Sequence, residues 1–302
     1  MMRLLRGHRV AVVGTGISTA VVGTIITALL LLAPEPPGAE YQLFIPAVTR
    51  QPTSLKRGLA THHPEVAADV GLLGVTWRYN WLADIPTAPG VESVPMVYSA
   101  KVLVQLLTGA RRIGGDSSYL MGFNEPDRSA QANLTPAEAV APWLLLERIY
   151  PDRLLVSPAP SHLHPEWLAE FRTVFTKAVG RPPRFDVLAV HCYFANDASG
   201  CRAVIEQAAG YARDWNIEGG VWVTEFGPVC SAEGFDTTMA ESEASEFVQW
   251  LEAHPQVTRY AWFPARLDGS EYWHPNLRDW AVLVDGEGLT RWGQVYVGAI
   301  GD

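Results

Sequence analysis

Positive charge is in short supply. Lys and Arg together number 23 against 32 Asp and Glu in 302 residues, and the net charge of -9 argues against a protein that binds nucleic acid by neutralising its backbone. Charged residues of both signs make up only 18% of the chain, against roughly a quarter in an average soluble protein. With 48% of residues apolar, intrinsic disorder is excluded. Neither a repeat at a solenoid period nor a low-complexity run is visible, so stacked-repeat architectures are set aside. Cysteine is scarce as well: three residues leave at least one outside any intramolecular disulfide. What the chain has in excess is aromatic surface, with 11 Trp and 10 Tyr, side chains whose flat faces also serve flat ligands.

The amino terminus reads as separate from the globule. From Val10 to Ala33 no residue is charged, and 24 positions at about 1.5 Å each would span a bilayer core of about 30 Å. Arg3, Arg6 and Arg9 precede this run and Glu35 and Glu40 follow it, so the positive-inside rule places the short end in the cytoplasm and the rest outside. Pro34 directly after Ala33 does not suit a cleavage site, which favours an uncleaved anchor; secretion after cleavage is the alternative. Gly14 and Gly16 imitate a dinucleotide turn, but the segment stays apolar on every face where that fold needs an amphipathic helix. The expected organisation is therefore a stub and transmembrane anchor over 1–33, a Pro-rich spacer over 34–47 and a catalytic domain over 48–302.

Within that domain short β-type runs alternate with amphipathic segments, the pattern of a parallel sheet covered by helices. Eight strands are predicted, near Lys56–Ala60, Gly74–Trp77, Ser93–Tyr98, Tyr119–Asn124, Leu154–Ser157, Asp186–His191, Val221–Glu225 and Tyr260–Phe263. Thr135-Pro136-Ala137-Glu138 has the form of a capping box with proline at the first helical position, and Thr238 with Glu241 repeats the box. Leu168, Phe171, Phe175 and Ala178, ended by Gly180, form one buried helical stripe; Ala240, Ala244, Phe247, Val248 and Leu251 form another. The predicted fold is α/β, a single (β/α)8 TIM barrel preceded by one N-terminal transmembrane helix, with a doubly wound open sheet as the alternative.

Chemistry in such a barrel sits at the carboxyl-terminal ends of the strands. The fourth strand ends Gly122-Phe123-Asn124-Glu125-Pro126-Asp127 and the seventh ends Val223-Thr224-Glu225-Phe226-Gly227, so each delivers a glutamate to the mouth. The two are 100 positions apart in sequence, yet strands four and seven of a closed barrel face each other. A pair of converging carboxyls is what glycoside hydrolysis requires. A lone glutamate is more often a helix-dipole partner or a surface ion pair; two at matched strand ends after apolar runs, where an unpaired charge is costly, point to a site.

These stretches, with Gln131-Ala132-Asn133-Leu134-Thr135-Pro136, Lys56-Arg57-Gly58, Trp77-Arg78-Tyr79-Asn80-Trp81, Ser157-Pro158-Ala159 and His191-Cys192-Tyr193, resemble glycoside hydrolase family 128, the alkali-sensitive-linkage type of β-1,3-glucanase. The resemblance implies a retaining mechanism on β-1,3-glucan, with Glu125 as acid/base, Glu225 as nucleophile, Asn124 contacting the hydroxyl beside the attacked carbon, and His191 and Tyr193 lining the site. Cys192 between those two is a departure expected to affect packing rather than chemistry.

Sugar faces stack on indole and phenol rings, so Trp77, Tyr79, Asn80, Trp81, Tyr98 and Trp262 are expected to bind substrate, while Trp143, Trp167, Trp215 and Trp250 are left to the helix layer. His62, His63, His162, His164 and His191 imitate the ligands of metal-dependent amide hydrolases, but strand eight ends Trp262-Phe263-Pro264 without the carboxylate such a site needs. No metal or cofactor is expected. Cys192 and Cys201 enclose eight residues and either form a disulfide or remain buried thiols. Asn133-Leu134-Thr135 fits a glycosylation acceptor, although Thr135 is better explained as a cap. The expected partners are a β-glucan and, through the N-terminal helix, a membrane; a monomer is expected. A non-catalytic glycan-binding barrel, and a hydrolase of mannan or xylan, are the alternatives.

Overall fold

Most apolar runs of the domain are too short to bury themselves and are followed by a helix that covers them; between the second and third strands no helix intervenes. The computed structural model describes residues 54–62, 66–162, 164–266, 281–286 and 288–300. The strands are β1 (Arg57–Ala60), β2 (Trp77–Tyr79), β3 (Glu92–Ser93), β4 (Tyr119–Met121), β5 (Leu154–Val156), β6 (Leu188–Phe194), β7 (Val221–Pro228) and β8 (Val257–Trp262). Between and after them lie the helices α1 (Val66–Leu73), α2 (Ala100–Leu107), α3 (Pro136–Ile149), α4 (Glu166–Val179), α5 (Ser199–Asp214), α6 (Thr237–Ala253) and α7 (Arg291–Gly298). A short antiparallel pair, β9 (Val284–Asp285) and β10 (Gly288–Leu289), precedes α7. The anticipated membrane helix, the spacer, the first residues of the domain and His63 lie outside the described residues. Among the described residues no helix is long and apolar enough to cross a membrane.

The eight strands pair in parallel with their sequence neighbours. β1 joins β2 and β2 joins β3; β4 joins β5; β6 joins β7 and β7 joins β8. Single bridges, Met96 to Met121 and Val156 to Val187, connect the third strand to the fourth and the fifth to the sixth. β8 then pairs back onto β1, with Gly58 opposite Ala261. The pairings thus form a ring, the arrangement of a TIM-like barrel rather than an open doubly wound sheet.

Several strand boundaries differ from expectation, the fourth, sixth, seventh and eighth by a few residues at one or both ends, and the second and third for identifiable reasons. The second strand begins at Trp77 rather than Gly74, because Gly74, at φ +60°, closes the turn after α1. The third is interrupted after Ser93 by Pro95, which has no N–H to give, although its carbonyl still accepts from Met121 N at 2.9 Å.

Caps and stripes follow the side chains. Thr135 and Glu138 form the full capping box of α3. Thr238 and Glu241 do not cap: α6 starts earlier, on Asp236, whose carboxylate accepts from Met239 N at 3.0 Å. Gly180 ends α4 in the left-handed conformation. The α6 stripe is buried in full, whereas on α4 Ala178 is exposed and Trp167 joins Leu168, Phe171 and Phe175 in the core.

The apolar interior has two parts. One lies between strands and helices and includes Leu59, Phe123, Trp143, Phe226 and Trp262. The other fills the barrel and includes Ala60, Trp77, Tyr79, Met96, Met121, Val156, Ala189, Trp222 and Ala261. Gly58 is required here, since a Cβ would stand 2.3 Å from the Trp77 indole lying across it.

Candidate active site

Strand alternation alone would not bring Glu225 inside. On β7, Trp222 points into the barrel and Val223 toward the helices. Strict alternation would turn Thr224 inward and Glu225 outward. A bulge intervenes: opposite β6, Val223 pairs with Val190 but Glu225 pairs with His191, so Thr224 is the extra residue. Glu225 therefore points inward, and Phe226 outward against Trp262 and Phe247.

Three donors converge on Glu225. Tyr79 Oη reaches Oε1 at 2.9 Å and Trp81 Nε1 reaches the same oxygen at 2.8 Å, while Tyr193 Oη donates to Oε2. An ionised carboxylate only accepts, and this arrangement meets that need. Trp81 is presented by a left-handed backbone, φ +61°. Its ring lies against His62 at 4.3 Å and meets Phe263 edge-on at 5.5 Å.

Glu125, in the loop beyond the end of β4, is in a left-handed conformation as well, φ +39°, a geometry that costs a non-glycine residue about 1–3 kcal/mol and is retained where surroundings enforce it. Its neighbours do so. Glu125 N donates to Ala159 O at 2.8 Å, and the following Asp127 is tied to Ser161 N at 2.8 Å. Glu125 Oε1 then faces His191 Nδ1 at 3.0 Å and Oε2 faces Arg128 at 3.4 Å.

His191 joins the two carboxyls. It is fully buried, with Nδ1 on Glu125 and Nε2 at 3.5 Å from Glu225 Oε1, too long for a hydrogen bond. One oxygen of each glutamate and one nitrogen of His191 all lie within 4.8 Å of one another. Burial disfavours the imidazolium, but the charge of Glu225 and the hydrogen bond and charge of Glu125 outweigh it and raise His191 above its ordinary value. Burial also favours neutral Glu125; the hydrogen bond and charge of His191, assisted by Arg128 and His162, prevail and lower it. Tyr79 and Tyr193 are pushed well above the phenol range by burial and then by the charge of Glu225, so both remain donors.

Asn124 is buried beside Glu125, with Nδ2 3.3 Å from Gln131 Oε1. Its Oδ1 is buried and finds no donor among the described residues, a polar atom left over beside Glu125. Tyr98 Oη also donates to Gln131, and burial with the charges of Glu125 and Glu225 raises it. Glu125, Glu225, Asn124, Tyr79, Trp81, Tyr98, His191 and Tyr193 are thus brought together.

Two of the expected stacking residues are not in this group. Trp77 is wholly buried at the amino-terminal end of the barrel, its Nε1 donating to Lys56 O at 2.9 Å. Trp262 faces outward beneath α7, bonded to Ala281 O at 2.7 Å and packed on Tyr296 and Trp292. Asn80 is buried and spends Oδ1 on the turn at Leu82 N. Trp143, Trp167, Trp215 and Trp250 lie in the helix layer as anticipated.

A family model for the glycosyl hydrolase catalytic core matches residues 58–296. The chain belongs to that family. Alkali-sensitive linkage protein 1 of Schizosaccharomyces pombe is 27% identical over 235 residues, which cover 74% of this chain and 40% of that protein. The chain therefore matches less than half of that relative's length. Among solved structures it is similar to a curdlan-specific exo-β-1,3-glucanase of Blastomyces gilchristii, of glycoside hydrolase family 128, with a TM-score of 0.65 and 26% identity over 82% of this chain and 100% of the other. An endo-β-1,3-glucanase of Sorangium cellulosum gives a TM-score of 0.62 at 29% identity, covering 81% and 98%. An endo-β-1,3-glucanase of Amycolatopsis mediterranei, solved with laminaritriose, gives 0.62 at 27% identity, covering 82% and 100%. The resemblance noted on the sequence motifs is thereby borne out.

Among the described residues two sets of groups are close enough to hold a metal ion. Glu125, His191 and Glu225 form one; His162, Cys192 and Cys201 form the other. The first already spends His191 Nδ1 on Glu125. In the second, Cys192 and Cys201 are joined as a disulfide, with Cα atoms 5.4 Å apart, and Cys230 remains a thiol. The disulfide ties the strand carrying His191 and Tyr193 to the first turn of α5. Arg128, Gln131 and His162 are not among the expected site residues. His162, weighed above only as an imitation of a metal ligand, accepts from Tyr193 N at 3.1 Å; its signal in the sequence is a position just beyond the fifth strand.

Proposed function

We propose that this protein is a retaining β-1,3-glucanase that works by double displacement. The observation that carries the reading is the convergence of Glu125 and Glu225 on His191. Their nearest carboxyl oxygens lie within 4.8 Å, in keeping with the roughly 5–5.5 Å of retaining enzymes and short of the roughly 6.5–9.5 Å that an interposed water needs. Glu225, oriented by Tyr79, Trp81 and Tyr193, attacks the anomeric carbon. Glu125 passes its proton to the departing glycosidic oxygen as that bond breaks. Glu125 then takes a proton from water as the water oxygen displaces Glu225 from the anomeric carbon. Asn124, buried beside Glu125, takes the role that the family resemblance implies, contact with the sugar hydroxyl next to the attacked carbon. The substrate reading is supported by the β-1,3-glucanases among its structural relatives.

Action outside the cell from a membrane tether follows from the uncharged run Val10–Ala33 and the arginines before it. Protease shaving of intact cells should remove the catalytic domain; protection would place it inside.

The deciding measurement is reducing-sugar release from a panel of polysaccharides. Release from β-1,3-glucan is expected, with the β configuration kept in the first product seen by NMR. Binding without release would make the barrel a glycan-binding module, and release from mannan or xylan would change the substrate. An α first product would overturn the double displacement.

A further inference from the structure

The two oxygens of Glu125 have unlike surroundings. Oε1 is buried on His191, and Oε2 faces the Arg128 guanidinium at 3.4 Å. The Arg128 side chain, 57% exposed, meets Oε2, whereas the fully buried His191 meets Oε1, which sets Oε2 as the oxygen toward the mouth. The loop that carries Arg128 is pinned at both ends. Arg128 N bonds Glu125 O at 3.0 Å, Ala132 N bonds Asn124 O at 3.0 Å, and Leu134 N bonds Pro126 O at 2.7 Å. Asp127, the residue before it, is held by Ser161. The base of the arginine is thereby fixed over the carboxyl while its long side chain remains in solvent.

That position conflicts with one half of the reaction and serves the other. To donate, Glu125 must carry a proton on the oxygen that faces the leaving group, and a guanidinium on the same oxygen offers only hydrogens. To activate water, Glu125 must be an anion, which the guanidinium favours. We propose that Arg128 is a positioning residue that clamps the mouth-facing oxygen of Glu125, assisting the water-activating half of the reaction at the expense of the proton-donating half. This rests on the double-displacement reading above. In the first half the proton leaves Oε2 for the glycosidic oxygen, and Arg128 swings away; in the second, Oε2 accepts the proton of water and Arg128 returns.

Other groups also face Glu125 and remain in place when Arg128 is changed. They are His191 and Tyr193 from β6, Glu225 from β7, Tyr79 from β2, Tyr98 after the third strand and His162 after the fifth. Arg128 is one contributor to the low value of Glu125, behind His191, so its removal should shift the profile modestly.

The test compares the pH dependence of the wild type, Arg128→Gln and Arg128→Lys. For unactivated glucan, kcat/KM falls at high pH as Glu125 loses its proton. Arg128→Gln should move that alkaline limb up by about half a pH unit, roughly a threefold gain well above the limb. With an activated aryl glucoside, whose first step needs no proton, kcat limited by the second step should fall about threefold at low pH. Mass spectrometry should then find more enzyme trapped as the glycosyl ester. Arg128→Lys should keep both limbs. Unmoved limbs, or a uniform loss of kcat/KM at every pH, would overturn the proposal while leaving the glucanase reading intact. A wild type that releases no sugar would remove both.

Discussion

The two ends of the barrel interior are built from similar residues and do opposite things. At the amino-terminal end, Arg259 lies against the rings of Trp222, Tyr119 and Trp77 at 4.5, 5.0 and 5.5 Å and is paired with Glu92 at 2.5 Å. Its charge is matched and its aromatic partners are packed on one another. At the carboxyl-terminal end β2 and β7 supply Tyr79 and Glu225, joined by Trp81 and by Tyr193 of β6, but two carboxylates share one imidazole and the aromatic groups spend their polar tips on an acid. Aromatic rings around a charge make a plug where the charge is balanced. In the proposed reaction centre an excess of one sign is instead met by a set of hydrogen-bond donors.

If that contrast is right, substitutions at the two ends should separate activity from stability. The largest effect is expected at Glu225→Gln, with turnover of every substrate reduced at least about ten-thousandfold and thermal unfolding little changed. Glu125→Gln should lose glucan hydrolysis to a similar degree yet still release a good leaving group in the first step. Equal loss of that step in both variants would exchange or abolish the assigned roles.

Trp222→Ala and Trp77→Ala should cost about 3–5 kcal/mol of stability by denaturant titration, with kcat per folded molecule nearly unchanged. A selective rise in KM at Trp77 would make it a sugar platform and erase the contrast. Tyr193→Phe removes one donor to the Glu225 carboxylate. A hydrogen bond to a charged group is worth about 1.5–3 kcal/mol, so kcat should fall about tenfold to a hundredfold while the melting temperature stays close to wild type.

The smallest effect is electrostatic. His191 is raised in the folded protein, so its protonation stabilises the fold fully below the unfolded value of about 6.5 and that contribution is lost as pH rises through the folded value. Glu125 is lowered, so its contribution is present above the ordinary carboxyl value and is lost as pH falls through the folded one. Removing Glu225, the foremost charge that raises His191, should bring the imidazole down and move the alkaline loss of stability to lower pH. NMR titration of His191 in wild type and Glu225→Gln checks this; an upward or absent shift would contradict the bridging position.

Much of the active end was legible in the sequence, and less of the plug. Glu125 and Glu225 stand out because an acid after an apolar run at a strand end is expensive unless it is used. Trp77 is grouped with Tyr79 and Trp81 because the sequence pattern ends strand two at Trp77, whereas the strand begins there; two residues along a strand are about 6.6 Å, so Trp77 lies deeper in the barrel than Tyr79. Trp262 was misplaced for a different reason. In a parallel barrel both faces of a strand are apolar, so no alternation tells inside from outside, and Trp262 proves to belong to the helix layer. The interrupted third strand could be anticipated from Pro95, whereas the bulge at Thr224 left no mark that composition or spacing reveals.

By itself the sequence determined the alternation of strands and helices, the capping of α3 and the two strand ends that carry acids, because these depend on local periodicity and on the cost of burying charge. Only the tertiary structure decided that Glu225 faces inward, that His191 stands between the carboxyls and that Arg128 reaches one oxygen of Glu125 while His191 takes the other. Those facts depend on ring closure, on a one-residue bulge and on two left-handed residues, and such features are fixed by contacts between segments far apart in the chain.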